Sequence, residues 1–213
     1  MSTDDWQIHP RNADLTRTLD PVSGWSKLHL IERYNTPDTW TLNGPSYALG
    51  GFAPGMGCIV DRNGEQVTSG QVTRIRRVGS IVEGRVIETI TLSFESDLAA
   101  LGGRVVRPAP GTYFAPGVIS RFPADYDLRS GNVEDLILGY ISSNIGPAAR
   151  ASRRLPRLRL PLSQKRGGDT QVSGRLDNLG VLVQQLADFG GLRVRIVHAE
   201  DADGSWLDLK IEG

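Results

Sequence analysis

The hydrophobic pattern of this chain changes its period near the middle. Up to about residue 106, the apolar residues fall in short β-branched and aromatic runs separated by turn residues. From residue 125 onward, two stretches carry apolar residues at helical spacing. Runs of the first kind predict strands, and stretches of the second kind predict amphipathic helices. The pattern therefore predicts a β-rich first part and an α+β second part.

The stretch 125–146 carries the clearest helical pattern. Ser130 or Gly131 is the expected N-terminal cap, and Glu134 and Asp135 then lie in the first turn, where the helix dipole favours negative charge. We expect the apolar face to be buried against a second helix and a C-terminal hairpin. Its residues follow the spacing i, i+3, i+4, i+7 and i+8: Val133, Leu136, Ile137, Tyr140 and Ile141.

The pattern in the first part predicts five or six short antiparallel strands, which together make a small barrel or sandwich. Asn63-Gly64 separates two of them, and this dipeptide favours a two-residue hairpin turn because both positions tolerate positive φ. A short helical turn is predicted at 97–101. The expected strands are 27–34, 40–42, 57–61, 65–69, 70–76 and 86–94.

The pattern in the second part predicts two helices and a hairpin. The second helix is expected at about 177–188, with Gly190-Gly191 ending it, because glycine accepts a left-handed cap. Strands are expected at 192–198 and 205–211, on either side of Asp203-Gly204. Helices followed by a hairpin form an α+β layer.

These elements predict four segments. Residues 1–24 form an N-terminal arm, in which Trp6 and Ile8 are candidate anchors on a neighbouring chain. Residues 25–106 form the antiparallel β-barrel, 107–123 a Pro/Gly-rich connection, and 124–213 the α+β domain. The sequence stops on a predicted strand, so we expect either that the chain is a fragment or that another chain supplies the remainder.

Composition narrows the functional classes. The 213 residues have a formal net charge of zero, which indicates no bulk electrostatic partner, and the single cysteine, Cys58, excludes an internal disulfide and a cysteine metal cage. No run approaches the roughly 18 apolar residues of a membrane span. The acidic, polar N-terminus does not resemble a secretory signal, so we expect synthesis in a cytoplasm.

The sequence gives little indication of catalytic or metal-binding residues. His9, His29 and His198 are not gathered by spacing, and a metal site needs three or four converging ligands. Residues 44–48 resemble a nucleophile elbow and residues 201–204 a calcium loop, but a turn is the better interpretation of each, since the required flanking elements and ligands are missing. We predict no catalytic, cofactor-binding or metal-binding residue, and no enzyme activity.

One segment, 150–166, is unusual because it contains basic residues and no acidic ones. It could be a solvated loop, a docking site for an acidic protein surface or a contact for nucleic acid. Aromatic residues are absent from 141–188, so no stacking platform for bases is present. We take it as a hypothetical partner-docking site made of Arg150, Arg153, Arg154, Arg157, Arg159, Lys165 and Arg166.

Several stretches resemble proteins of phage tails. The runs 57–64, 69–75 and 94–98 are similar to the first barrel of phage tail-hub proteins. The runs 127–134 and 140–147, with the leucine-rich helix before Gly190, resemble a minor tail protein family of long-tailed phages. That family is similar to baseplate hub proteins and to the N-terminal domains of tail-associated lysins. The resemblance covers roughly residues 25–213.

The resemblance implies a structural protein of the virion tail tip that works without a cofactor. It implies a homotrimeric ring around the tail channel, joining the tail tube to distal or receptor-binding parts. The expected partners are other copies of the chain, the distal tail protein ring, the tape-measure protein and fibre or spike proteins, with DNA only in transit. The alternatives are a tail-associated cell-wall hydrolase and a host-surface binding module.

Overall fold

The computed structural model describes residues 5–18, 20–82, 85–108 and 125–213. The chain is mostly β and of the α+β class, as predicted. It divides into two compact units. The first unit comprises Met1–Arg33, Pro37–Asp97 and Val197–Trp206, and the second comprises Tyr34–Thr36, Leu98–Ile196 and Leu207–Gly213.

The first unit is built on a six-stranded antiparallel sheet in the order β1-β4-β5-β6-β3-β2. Asn63 and Gly64 join β4 to β5 with φ angles of 55° and 84°, as a two-residue hairpin turn requires. A short helix, α1 (Ser46–Leu49), follows β3. The strands are β1 (Trp6–Arg11), β2 (Lys27–Ile31), β3 (Thr39–Pro45), β4 (Gly57–Arg62), β5 (Glu65–Val82) and β6 (Arg85–Ser96).

The inner face of this sheet forms an apolar core in which Trp40 stacks on Phe94, with ring centroids 5.2 Å apart. The predicted anchor Ile8 is buried in this core, and β1 pairs with β4 along its length, so Ile8 anchors its own unit rather than a neighbouring chain. The outer strands of the sheet are β1 and β2. No closed barrel is found among the described residues, so the predicted barrel is not confirmed.

Strand β5 is continuous where the sequence predicted two strands, 65–69 and 70–76. Gly70 does not break it, because the glycine allows close approach of the neighbouring strand: a Cβ there would lie 2.1 Å from the Glu95 carbonyl oxygen. Beyond the sheet, β5 and β6 continue as a two-stranded ribbon up to the pair Val82–Arg85.

The second unit combines two long helices with short strands. Strand β7 pairs antiparallel with β9, and α3 packs against α4. Strands β10, β11 and β8 form a three-stranded sheet, and the tip of the β10–β11 hairpin is grouped with the first unit. The elements are α2 (Ala99–Gly102), β7 (Asp127–Asn132), α3 (Val133–Asn144), a 3-10 turn (Ala151–Arg153), β8 (Leu158–Arg159), β9 (Asp169–Gly174), α4 (Leu179–Gly190), β10 (Arg193–Asp201) and β11 (Gly204–Glu212).

The predicted start of the first long helix was wrong. Residues 127–132 form β7, and the helix cap is Asn132, whose side-chain oxygen accepts the Glu134 amide at 3.1 Å, rather than Ser130 or Gly131. The partner strand, β9, lies about forty residues further along the chain, so no local pattern reveals the pairing. The predicted burial of Leu136, Ile137 and Tyr140 is confirmed.

The second long helix and the hairpin are close to their predicted bounds. Asn178 caps α4 by accepting the Val181 amide at 3.2 Å, and Gly191 ends it with a left-handed φ of 64°. Most of the predicted connection, 107–123, lies outside the described residues. No helix among the described residues is long and apolar enough to cross a membrane.

Candidate docking surface

The basic segment 150–166 lies in the second unit, between α3 and β9. It contains a 3-10 turn at Ala151–Arg153, a turn at 156–157 and the short strand β8. Arg157 and Lys165 have left-handed φ angles of 60° and 58°, so the segment changes direction at both residues. The bends separate the predicted basic residues into groups with different surroundings.

The C-terminal part of the segment is neutralised within the chain. Arg159 Nε lies 2.6 Å from Asp208 Oδ1, and Lys165 Nζ lies 3.6 Å from Asp135 Oδ2. Arg166 Nη2 lies 2.7 Å from Glu134 Oε1. These carboxylates belong to α3 and β11. The basic segment itself contains no acidic residue, although the charges of its C-terminal part are paired.

Glu134 is the most strongly held of these carboxylates. Its side chain is fully buried, and Oε2 accepts the backbone amides of Gln164 and Arg166, each at 3.0 Å. The hydrogen bond from the Arg166 guanidinium, with smaller help from the two amides, lowers the pKa of Glu134 despite its burial. The same pairing raises the pKa of Arg166. These bonds fix the end of the basic segment to the first turn of α3.

The N-terminal part of the segment has different partners. Arg153 Nη2 donates to the Val105 carbonyl at 2.6 Å, and Arg154 Nε donates to the Ala149 carbonyl at 2.7 Å. Arg153 Nη1 is buried and has no hydrogen-bond partner among the described residues. The two guanidinium groups thus bind neutral carbonyl oxygens, and no carboxylate in the described part of the chain compensates their positive charge.

The surroundings of Arg153 are positive. Burial lowers the pKa of Arg153, and the charges of Arg107, Arg104 and Arg150 lower it further, in that order. We call Arg104, Arg107, Arg150 and Arg153 the arginine cluster. Sequence reasoning missed Arg104 and Arg107 because they lie outside the basic segment. The hydrogen bond from the Arg153 guanidinium to the Val105 carbonyl brings the two parts of the chain together.

The histidines are not brought together by the fold. His9 Nε2 lies 3.4 Å from Asp61 Oδ2, His29 is exposed on β2, and His198 lies near Arg11 and Glu200. Among the described residues, no group of three or more His, Cys, Asp or Glu side chains could hold a metal ion. The predicted turn at 201–204 is a hairpin turn, in which Asp201 Oδ1 accepts the Asp203 amide at 3.0 Å.

The comparisons with known proteins point to phage tails. A family model described as Siphovirus ReqiPepy6 Gp37-like protein matches residues 5–210. No curated protein matches the chain.

Several solved structures share the fold, among them three prophage and bacterial tail proteins. The 43 kDa tail protein of prophage MuSo2 from Shewanella oneidensis is 15% identical, with a TM-score of 0.50, over 97% of this chain and 53% of its own. The tail protein from Neisseria meningitidis MC58 is 13% identical, with a TM-score of 0.52, over 96% and 50%. Prophage tail protein gp18 from Listeria monocytogenes EGD-e is 10% identical, with a TM-score of 0.52, over 96% and 50%. The chain therefore spans about half the length of each of these three proteins.

Proposed function

The chain belongs to the Siphovirus ReqiPepy6 Gp37-like protein family, and on that premise we propose that it is a structural component of the phage tail tip. Its position is that of a baseplate hub or minor tail protein, which joins the tail tube to distal or receptor-binding parts. The observation that carries the proposal is the family match across residues 5–210. The fold shared with three prophage and bacterial tail proteins supports it.

In this proposal the chain acts as a homotrimer around the tail channel. Cyclic symmetry closes contacts between identical chains without leaving an open fibre. The two outer strands of the first unit, β1 and β2, are edges of the kind that proteins usually cover. The partners are then the distal tail protein ring, the tape-measure protein and fibre or spike proteins.

The arginine cluster, together with the adjacent Arg154, is the proposed docking position for one of these partners. Arg153 and Arg154 hold their charge against neutral carbonyl oxygens, whereas Arg159, Lys165 and Arg166 are already paired with carboxylates of the chain. A carboxylate-bearing protein surface is the natural complement, because charge-assisted hydrogen bonds to arginine are stronger than neutral ones. This narrows the seven-residue hypothesis to the N-terminal part of the segment.

A map of intact virions tests the function. A phage carrying a peptide tag on this chain is purified, the tag is labelled with an antibody fragment, and the tail tip is reconstructed. We expect the label at the distal end of the tail, with three copies around the channel. Label along the tube or on the head, or a chain absent from virions, would contradict a tail-tip role. Two, four or six copies at the tip would contradict the trimer alone.

A further inference from the structure

Two tryptophans of the first unit are only partly buried. Trp6 is the first residue of β1, and Trp25 lies just before β2. Each packs against the apolar core of the sheet with part of its surface and leaves the rest exposed to solvent. Trp40, in contrast, is buried and stacks on Phe94. A partly exposed indole offers a flat apolar face and an N–H donor, so both rings are available to a ligand.

The two tryptophans help to line a cleft of about 410 Å³, which we call the indole cleft. Leu28 and Leu30, on β2, supply the aliphatic part of its lining. Sites for small molecules have volumes of about 300–1,000 Å³ and combine a mostly apolar lining with a few polar groups. The indole cleft has the size and the apolar part of such a site.

The polar groups of the indole cleft have few partners within the chain. His29 and Glu32 are exposed, and their side chains have no hydrogen bond or ion pair among the described residues. The Arg62 guanidinium lies over the Trp6 ring, 5.4 Å from its centroid, and donates no hydrogen bond to a described residue. The indole N–H groups of Trp6 and Trp25 likewise donate to no residue in that part of the chain. The cleft therefore offers several donors and a carboxylate acceptor to a ligand.

Regular structure holds the indole cleft in shape. Trp6 and Arg62 lie directly opposite each other in the β1–β4 pair, which explains why the guanidinium covers the ring. Beside Trp25, the Ser26 amide donates to the Asn43 carbonyl on β3 at 2.8 Å. A site whose groups are already in place loses little conformational freedom when a ligand binds.

The charges of the indole cleft disfavour ions and purely apolar molecules. A cation would meet the positive charge of Arg62, and an anion would meet the negative charge of Glu32. A ligand without polar groups would displace water from both side chains without replacing its hydrogen bonds, which costs free energy. The lining therefore fits a neutral ligand that has an apolar face and both donors and acceptors.

A sugar ring combines these properties. One face of a pyranose is made largely of C–H groups, which can stack on an indole, and its edge carries hydroxyl groups. Each hydroxyl both donates and accepts, whereas Glu32 can only accept and Arg62 can only donate, so the two side chains can bind neighbouring hydroxyls. An extended peptide would instead bind mainly through backbone hydrogen bonds to a strand edge, and would leave these side chains without a specific role.

We propose that the indole cleft is a binding site for a neutral saccharide. The sugar ring stacks on Trp25, over which no described residue places a cation. Glu32 accepts a hydrogen bond from one hydroxyl, and Arg62 donates to another. The proposal goes beyond the proposed function, because the site lies within the first unit and depends on neither the trimer nor the tail partners.

Binding to an array of immobilised probes tests the site. The full chain, labelled through a C-terminal tag, is applied to neutral, anionic and cationic oligosaccharides and to extended peptides. We expect binding to neutral oligosaccharides that the same oligosaccharide in solution competes away. Trp25→Ala should weaken this binding about tenfold or more, because it removes the stacking surface. Trp25→Phe, which keeps an aromatic ring, should retain part of it.

Two substitutions at Glu32 test the charge of the ligand. The side chain is exposed, so neither substitution should disturb folding. Glu32→Ala should weaken binding severalfold, because it removes an acceptor. Glu32→Gln should restore most of the binding, since an amide oxygen also accepts from a hydroxyl. If Glu32→Gln lost as much binding as Glu32→Ala, the ligand would be a cation and the proposal would be overturned.

The matched control is Trp206→Ala. Trp206 is a partly buried tryptophan of the same unit that lies outside the cleft and donates its indole N–H to Asp201 at 3.0 Å. This variant should bind as the unsubstituted chain does, with folding checked by circular dichroism. Preference for charged oligosaccharides, binding to peptides alone or binding to no probe would overturn the proposal, as would equal losses in Trp25→Ala and Trp206→Ala. The map of virions decides the tail-tip position independently of these results.

Discussion

At the scale of single residues, the buried face of α3 gives the sharpest test of the core. Ile137 is fully buried on this face. Ile137→Ala should lower the free energy of unfolding by about 2–5 kcal/mol, because it removes buried methyl groups and leaves a cavity. Chemical denaturation measures the change.

An exposed leucine provides the comparison. Leu128→Ala, on β7, removes a side chain that is 62% exposed and should change the free energy of unfolding by less than about 0.5 kcal/mol. If Ile137→Ala cost no more than Leu128→Ala, the buried face of α3 would not be part of the core.

The Glu134–Arg166 pair predicts a dependence of stability on pH. The folded pKa of Glu134 is lowered from 4.5, chiefly by the hydrogen bond from Arg166. A carboxyl group with a lowered folded pKa contributes stability that is complete above its unfolded pKa and is lost as pH falls through the folded value. We therefore expect the free energy of unfolding to fall in acid below pH 4.5, as measured by denaturation at a series of pH values.

Glu134→Gln should flatten this acid dependence. It should also destabilise the fold by about 1–3 kcal/mol at neutral pH, because the amides of Gln164 and Arg166 and the Arg166 guanidinium lose their charged acceptor. Asp135 pairs with Lys165, which is largely exposed. Asp135→Asn should therefore change the free energy of unfolding by less than about 1 kcal/mol. Equal costs for the two variants would contradict the special role of Glu134.

At the scale of elements, a polar network holds the tip of the β10–β11 hairpin within the first unit. The His198 amide donates to Ser69 Oγ at 3.0 Å, and Ser69 Oγ donates to Asp97 at 2.7 Å. Asp97 also forms a buried ion pair with Arg11, which in turn lies 3.4 Å from the His198 ring. The contact between Arg11 and the His198 ring needs a neutral imidazole, because a guanidinium can only donate a hydrogen bond.

Acid should loosen this tip. Burial is the largest cause that lowers the pKa of His198 from 6.5, and Arg11 adds to it, although Glu200 and Asp97 oppose the shift. A base with a lowered folded pKa contributes stability that is complete above its unfolded pKa and declines as pH falls below it. Hydrogen exchange of the tip amides, corrected for the intrinsic effect of pH, should therefore accelerate below pH 6.5.

Two substitutions make this measurement specific. His198→Asn should remove the acid-dependent acceleration, whereas His29→Asn, at an exposed position on β2, should leave it unchanged. Acceleration that persists in His198→Asn would assign the effect to another group, such as His9, whose pKa burial also lowers.

At the scale of the whole molecule, the arginine cluster predicts how the chain enters a tail. Reversing Arg104 and Arg154 to Glu should reduce incorporation into purified tails severalfold, because it replaces attraction for a carboxylate-bearing partner with repulsion. The matched variant, Lys165→Glu, should have little effect, since Lys165 already pairs with Asp135. Quantitative mass spectrometry of tails measures incorporation.

Folding and nucleic-acid binding are checked on the same variants. Circular dichroism and thermal unfolding should show that the double reversal folds normally. If the wild-type chain bound DNA tightly with a strong salt dependence, and the reversal abolished that binding without altering incorporation, the cluster would contact nucleic acid instead.

The sequence by itself determined the elements whose signal is local. The 3.6-residue period predicted α3 and α4 and the buried Leu136, Ile137 and Tyr140, because one face of a helix must be apolar to pack. Asn63-Gly64 predicted its hairpin, because few other dipeptides accept positive φ at both positions. The stretches that resembled tail proteins likewise predicted the family.

Only the tertiary structure decided what depends on residues distant in the sequence. The pairing of β7 with β9, the continuity of β5 through Gly70 and the place of β1 in the sheet are matters of register and close approach between strands. The basic segment looked uniform, but Glu134 and Asp208 neutralise its second part, while Arg104 and Arg107 add charge near its first. Sequence order carries no information on which distant charges meet, because electrostatic interactions depend on separation in space.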